Sequence, residues 1–174
     1  MNRLFIFDVD GTLTPSSQRM TEDFAKYFDE WSSKNNYYLV TSGDLEKTRE
    51  QVPLLYLERA QGIFTCCGNI FYKNRIIDLD GEREIHTSKI YENILEQSEK
   101  LNLNEIGLDK SQILRHISDD FDGLTDEYIF IGDRTMEGGN DYSLAQLINQ
   151  KGNGTSYQTK NPENTKKILE LING

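Results

Sequence analysis

Short apolar runs alternating with segments of helical period constrain this 174-residue chain more than any other feature. Leu4–Phe7, Tyr37–Val40 and Tyr128–Ile131 are apolar and bounded by turn-type residues, the pattern of buried strands. Gly62–Cys66 reads as a further strand and Thr155–Gln158 as a short last one, while "NIFYKNRIIDL" reads as a hairpin turning at Lys73-Asn74-Arg75. Between them Phe24, Phe28 and Trp31 recur at helical spacing behind Thr21 as N-cap. Leu45–Val52 reads as a second helix, capped by Asp44 and stopped by Pro53. Ile90, Ile94 and Leu101 mark another helix, as do Ile113, Leu114 and Ile117, and then Tyr142–Ile148. Asn161-Pro162 opens a final helix with proline at its first position. Strands alternating with helices predict an α/β fold, a mostly parallel sheet with helices on both faces. Ligands in such sheets bind outside the carboxyl ends of the strands, so chemistry is expected just after the apolar runs.

Carboxylates stand there. Asp8 and Asp10 follow the first run, two residues apart, so an extended chain lets both face one side of a crevice. Gly11 lets the chain bend away at once. Asp133 and Asp141 follow the Tyr128–Ile131 run in "FIGDRTMEGGND". If the two strands are neighbours, three or four carboxylates converge. Like charges about 4 Å apart repel by about 4 kcal/mol at an effective dielectric of about 20, so such a cluster calls for a cation. Oxygen ligands without His or Cys select Mg²⁺ over Zn²⁺. A carboxylate beside such a cation suits phosphoryl transfer: Asp8 as nucleophile, with Asp10 protonating the leaving group and later deprotonating water.

Composition excludes several alternatives. Hydrophobic residues make up 36% and charged residues 28%, a globular rather than disordered balance. The formal charge of −10 disfavours a nucleic-acid duplex as partner. No apolar run approaches the roughly 20 residues of a membrane helix, and the N-terminus lacks a signal-peptide pattern. The only two cysteines are the neighbours Cys66 and Cys67, which fits a reducing compartment and predicts a cytoplasmic protein.

The motifs "DVDGT", "TSGD" and "GDRTMEGGND", in that order after successive strands, resemble the haloacid dehalogenase (HAD) superfamily of phosphohydrolases. "FDVDGTLTP", "GDRTMEGGND" and "GLDK" (Gly107–Lys110) are similar to motifs of eukaryotic-type phosphomannomutases within it. The resemblance implies a Rossmann-like HAD core, with Asp8 as nucleophile and Asp10 as general acid/base. It implies that Ser42 and the Gly43 backbone bind the transferring phosphoryl group. Lys110 would neutralise that group and Asp8. Mg²⁺ would be held by Asp8, the Asp10 carbonyl and Asp133, with Asp141 in the outer shell or as an extra ligand.

The chain also departs from that pattern. Phosphomannomutases carry a cap of roughly a hundred residues before the lysine motif; here residues 82–106 occupy the interval, enough for one helix. An arginine that follows "LTP" in the family is replaced by Ser16, Ser17 and Gln18. The expectation is a single domain, residues 1–174, with 82–106 as a reduced cap insertion. Its function is expected to be an Mg²⁺-dependent phosphatase acting on a small phosphorylated substrate or a phosphorylated macromolecule. A phosphomannomutase and a non-catalytic phospho-ligand binder are the alternatives. A second protomer could roof the open site as a dimer.

Overall fold

The computed structural model describes residues 2–73, 110–120 and 125–173. The second arm of the expected hairpin with its turn, the helix around 90–101, the 82–106 insertion and residues 107–109 lie outside the described residues.

Strands β1 (Arg3–Asp8), β2 (Asn36–Val40), β3 (Gly62–Thr65), β4 (Ile70–Lys73), β5 (Glu127–Gly132) and β6 (Gly154–Gln158) form one sheet in the order β4-β3-β2-β1-β5-β6. All pairs are parallel except β3 with β4, which is an antiparallel hairpin pair. The alternation of side chains sorts β1 into two cores. Phe5 and Phe7 enter one layer, and Leu4 and Ile6 the other.

The first layer is covered by α1 (Glu22–Ser32), α2 (Leu45–Gln51), α3 (Leu54–Arg59) and the last helix, α6 (Pro162–Asn173). Thr21 caps α1 by accepting from the Phe24 N–H, and Phe24, Phe28 and Trp31 form its buried face. Trp31 meets Phe5 and Phe7 edge to face, with ring centroids 4.8 and 5.3 Å apart. Phe7 is fully buried, and Phe7→Ala would cost about 3–5 kcal/mol. The opposite layer holds α4 (Ile113–Asp120) and α5 (Tyr142–Gln150), which bury Ile113, Ile117, Leu144 and Ile148 on Leu4, Ile6 and Phe130.

Two elements differ from the sequence expectation. The chain resumes a short helix, α3, immediately after Pro53, because proline fits the start of a helix as well as it stops one. The third strand ends at Thr65, where Cys66, Cys67 and Gly68 all take left-handed backbone conformations in a tight turn. Cys66 and Cys67 donate their N–H groups to Gly43 and Thr41 carbonyls at 2.9 Å, so this turn braces the loop after β2.

The sheet order places β1 at the switch point. From β1 the chain moves outward through β2 and β3, and later returns to the other flank with β5 and β6. Asp8 pairs in register with Val40, and Phe7 with Ile131. The ends of β1, β2 and β5 therefore deliver Asp8, the Thr41–Gly43 loop and Asp133 to one edge of the sheet.

Candidate active site

Asp8, Asp133 and Asp141 present carboxylate oxygens that all lie within 4.8 Å of one another. Asp8 comes from the end of β1, Asp133 from just beyond β5, and Asp141 from the first residue before α5. Asp141 stands at the N-cap position of α5 but does not cap it with its side chain. Its Oδ2 accepts from the Arg134 N–H at 3.1 Å, and its Oδ1 accepts from Lys110 Nζ at 2.6 Å. Two glycines make room for this crowding. A Cβ on Gly11, which has φ +75°, would lie 2.5 Å from Asp133 Oδ2, and one on Gly132 would lie 2.6 Å from Asp141 Oδ2.

Lys110 is the counter-charge. It sits in a short 3₁₀ turn, Lys110–Gln112, and its side chain is wholly buried. Its Nζ donates to both Asp8 Oδ1 and Asp141 Oδ1. Gln112 anchors the same turn by donating to the Cys67 carbonyl at 3.0 Å and to Asn69 Oδ1 at 2.9 Å. Thr12 Oγ1 donates to the other oxygen of Asp8 at 3.2 Å.

One lysine does not balance three carboxylates. Burial pushes the Asp8 carboxyl up to about 7; Lys110 opposes the shift, and Asp141 and Asp133 add to it. Asp133 is raised as well, first by burial and then by Asp141. Burial works against the charge on Lys110, but Asp8 and Asp141 outweigh it and hold the ammonium above its ordinary range. The group is two negative charges in excess when every member is ionised. Three hard oxygen donors with that deficit fit a divalent cation such as Mg²⁺.

Asp10 takes no part in this cluster. Its Oδ1 accepts from the Ser17 N–H at 2.8 Å and from Gln51 Nε2 at 2.6 Å, and its Oδ2 accepts from Lys47 Nζ at 2.8 Å. Burial alone would raise this carboxyl, but the bonds from Lys47, Gln51 and Ser17 hold it below its ordinary value of 3.8. The local cause is the tight loop after Val9. Gly11 N–H bonds the Thr14 carbonyl at 2.8 Å and turns the chain away from the strand direction before alternation can carry Asp10 to the cluster. Ser42 is exposed in the loop after β2, and Thr41 Oγ1 accepts from the Gly43 N–H at 3.1 Å. Asp44 caps α2 through the Lys47 N–H at 2.8 Å.

The fold recurs in known structures. The fold matches the IMP-bound IMP-nucleotidase of Plasmodium falciparum with a TM-score of 0.64 at 16% identity, covering 98% of this chain and 66% of that one. It matches a trehalose-6-phosphate phosphatase related protein with a TM-score of 0.59 at 13% identity, over 97% and 96% of the two chains. The chain has the core fold of the HAD-like superfamily. In sequence, the profile of the family "Eukaryotic phosphomannomutase" matches residues 100–173, the stretch that contributes Lys110, Asp133 and Asp141 to the HAD-like core. The phosphomannomutase of Encephalitozoon cuniculi (strain GB-M1) is 28% identical over 216 residues, covering 81% of this chain and 83% of that protein. That alignment is longer than the chain itself, so the relative carries residues that this chain lacks.

Several residues of this HAD-like site were not singled out by sequence reasoning. Thr12, on Asp8, follows Gly11 in the first motif, and its own carbonyl accepts from Thr165 of α6 at 2.8 Å. Lys47 and Gln51, on Asp10, lie four apart on α2. That spacing puts them on one helix face and was the available signal.

Proposed function

We propose that the protein is an Mg²⁺-dependent phosphatase that hydrolyses a phosphomonoester through an aspartyl-phosphate on Asp8. The observation that supports this most is the Asp8–Asp133–Asp141 group at the carboxyl edge of the sheet, in which Lys110 bridges the buried Asp8 and Asp141. Asp8, the Asp10 carbonyl and Asp133 would hold the ion, with Asp141 as an outer or additional ligand. When bound, the ion would offset phosphate charge that otherwise repels an anionic nucleophile.

An Asp8 carboxylate oxygen attacks phosphorus as the ester P–O bond breaks, and Asp10 gives its proton to the departing oxygen. Water then attacks the aspartyl-phosphate, Asp10 takes the water proton back, and the Asp8–phosphorus bond breaks to release phosphate. Ser42 and the Gly43 backbone would hold the phosphoryl oxygens, and the Lys110 ammonium would lower the repulsion between Asp8 and the incoming phosphate.

The similarity to phosphomannomutases favours a second reading, a phosphosugar mutase. A mutase must keep water from its aspartyl-phosphate while a bisphosphate reorients, and residues 82–106 leave little chain to build a roof for that. Hydrolysis therefore ranks first. The test is a paired assay on purified protein with and without excess chelator. Mg²⁺-dependent release of phosphate from p-nitrophenyl phosphate supports the phosphatase. Efficient conversion of mannose 1-phosphate to the 6-phosphate, primed with bisphosphate and without free phosphate, would put the mutase first. Among the described residues no helix is long and apolar enough to cross a membrane.

A further inference from the structure

Asp10 is two residues from Asp8, yet its carboxylate is fully engaged elsewhere. Oδ1 receives two neutral donors, the Ser17 N–H at 2.8 Å and Gln51 Nε2 at 2.6 Å. Oδ2 receives one charged donor, Lys47 Nζ at 2.8 Å. The two α2 residues differ in character. Gln51 is only 5% exposed and is held in place, since its backbone carbonyl accepts from the Met20 N–H at 2.8 Å and its side-chain Nε2 also reaches Thr14 Oγ1 and the Gln18 carbonyl at 3.4 Å. The Lys47 side chain is 40% exposed, on a flexible stem that can leave and return.

We infer that Lys47 and Gln51 are positioning residues that divide the two oxygens of Asp10 between them, Gln51 holding Oδ1 and Lys47 holding Oδ2, and so fix the direction in which the carboxylate faces. This rests on the phosphatase reading, in which Asp10 moves a proton in both steps. In the first step a proton passes from the Asp10 carboxyl to the ester oxygen as that oxygen leaves phosphorus. In the second, the Asp10 carboxylate takes a proton from the attacking water as the Asp8–phosphorus bond breaks. A carboxylate whose orientation is fixed by its donors keeps its direction through both transfers. A misdirected acid/base group costs turnover without costing affinity. The structural alternative is that both residues only tie α2 to the loop of residues 11–20.

The two are separated by a double-mutant cycle on the full chain with Mg²⁺. Lys47→Met and Gln51→Met are each made in the native chain and in Asp10→Asn, and turnover of p-nitrophenyl phosphate is followed with thermal unfolding. The expected result is a loss of roughly tenfold in kcat with KM within about twofold for each single variant, vanishing in the Asp10→Asn background. Lys47→Arg, which keeps a charged donor, is expected to recover most of the loss. Should Gln51→Met fail to fold, the Lys47 cycle carries the test, because that side chain is partly exposed. An equal loss with and without the Asp10 carboxylate, or no loss at all, would overturn the inference while leaving the phosphatase reading intact. Full activity of Asp10→Asn by itself would instead remove the role of Asp10 in that reading, and the inference with it.

Discussion

Asp8 and Asp10 leave the same strand two residues apart and meet opposite surroundings. Asp8 is buried among Asp133 and Asp141 with one shared lysine, and its proton affinity is raised. Asp10 faces α2, has a donor on each oxygen, and holds its charge more readily than a free aspartate. Burial and partner count, not residue type, set what each carboxylate is fit for. In the proposed reaction the crowded one receives a cation and bonds to phosphorus. The well-served one is held as a carboxylate away from the cluster, and its proposed proton transfers work against the donors that hold it ionised.

The largest effect is expected on the Asp8 side. Asp8→Asn should lower turnover of p-nitrophenyl phosphate at least about 10³-fold, because an amide is a poor nucleophile and a poor ligand for a hard cation. The same variant removes a buried charge, so thermal unfolding should show no loss of stability.

Next is Lys110→Met. It removes the one cation shared by Asp8 and Asp141 and leaves two buried carboxylates unpaired, which should destabilise the metal-free protein by about 3–5 kcal/mol in urea unfolding. Addition of Mg²⁺ should restore part of that loss, whereas a Lys47→Met control should show little. Equal effects at the two lysines would erase the contrast.

A smaller effect is expected in pH dependence. Asp8 is protonated below about 7 in the metal-free protein, and a ligand carboxylate must lose that proton. Apparent Mg²⁺ affinity should therefore rise with pH up to about 7 and level off above it, releasing a proton on binding in the lower range. Calorimetry in two buffers of different ionisation heat measures that release.

The smallest effect belongs to Asp10. Its folded-state pKa is lowered, so its contribution to stability is present above 3.8 and lost as pH falls through the folded value. The Lys47 pair is partly exposed and screened, so Asp10→Asn should cost no more than about 1 kcal/mol at neutral pH. That cost should shrink towards zero as unfolding is repeated below pH 4.

The sequence exposed the carboxyl-edge placement of Asp8 and Asp133 because parallel strands leave only one edge for loops that carry chemistry. The helix caps at Thr21 and Asp44 and the proline start at 161–162 were legible because capping is a local property. Asn161 Oδ1 accepts from the Asn164 N–H at 2.8 Å, as that start requires. Three features were not legible. Asp141 joins the cluster as its motif suggested, but its ion pair with Lys110 depends on a buried cation far away in sequence. Asp10 leaves the crevice for α2 because the Val9–Thr14 loop tightens at once, which alternation along a strand cannot foresee. The short α3 follows a residue that reads equally well as a stop or a start.

In the proposed mechanism the phosphoryl group passes onto Asp8. The most direct measurement is rapid-quench mass spectrometry of Asp10→Asn mixed with an activated aryl phosphate and Mg²⁺, followed by peptide mapping under acid. Loss of the Asp10 base slows the second step more than the first, so a phosphoryl group should accumulate to near one equivalent on the peptide that contains Asp8, with a matching burst of phenolate. Phenolate released with no phosphoenzyme at any quench time, or a phosphoryl group on a peptide that excludes Asp8, would contradict the account.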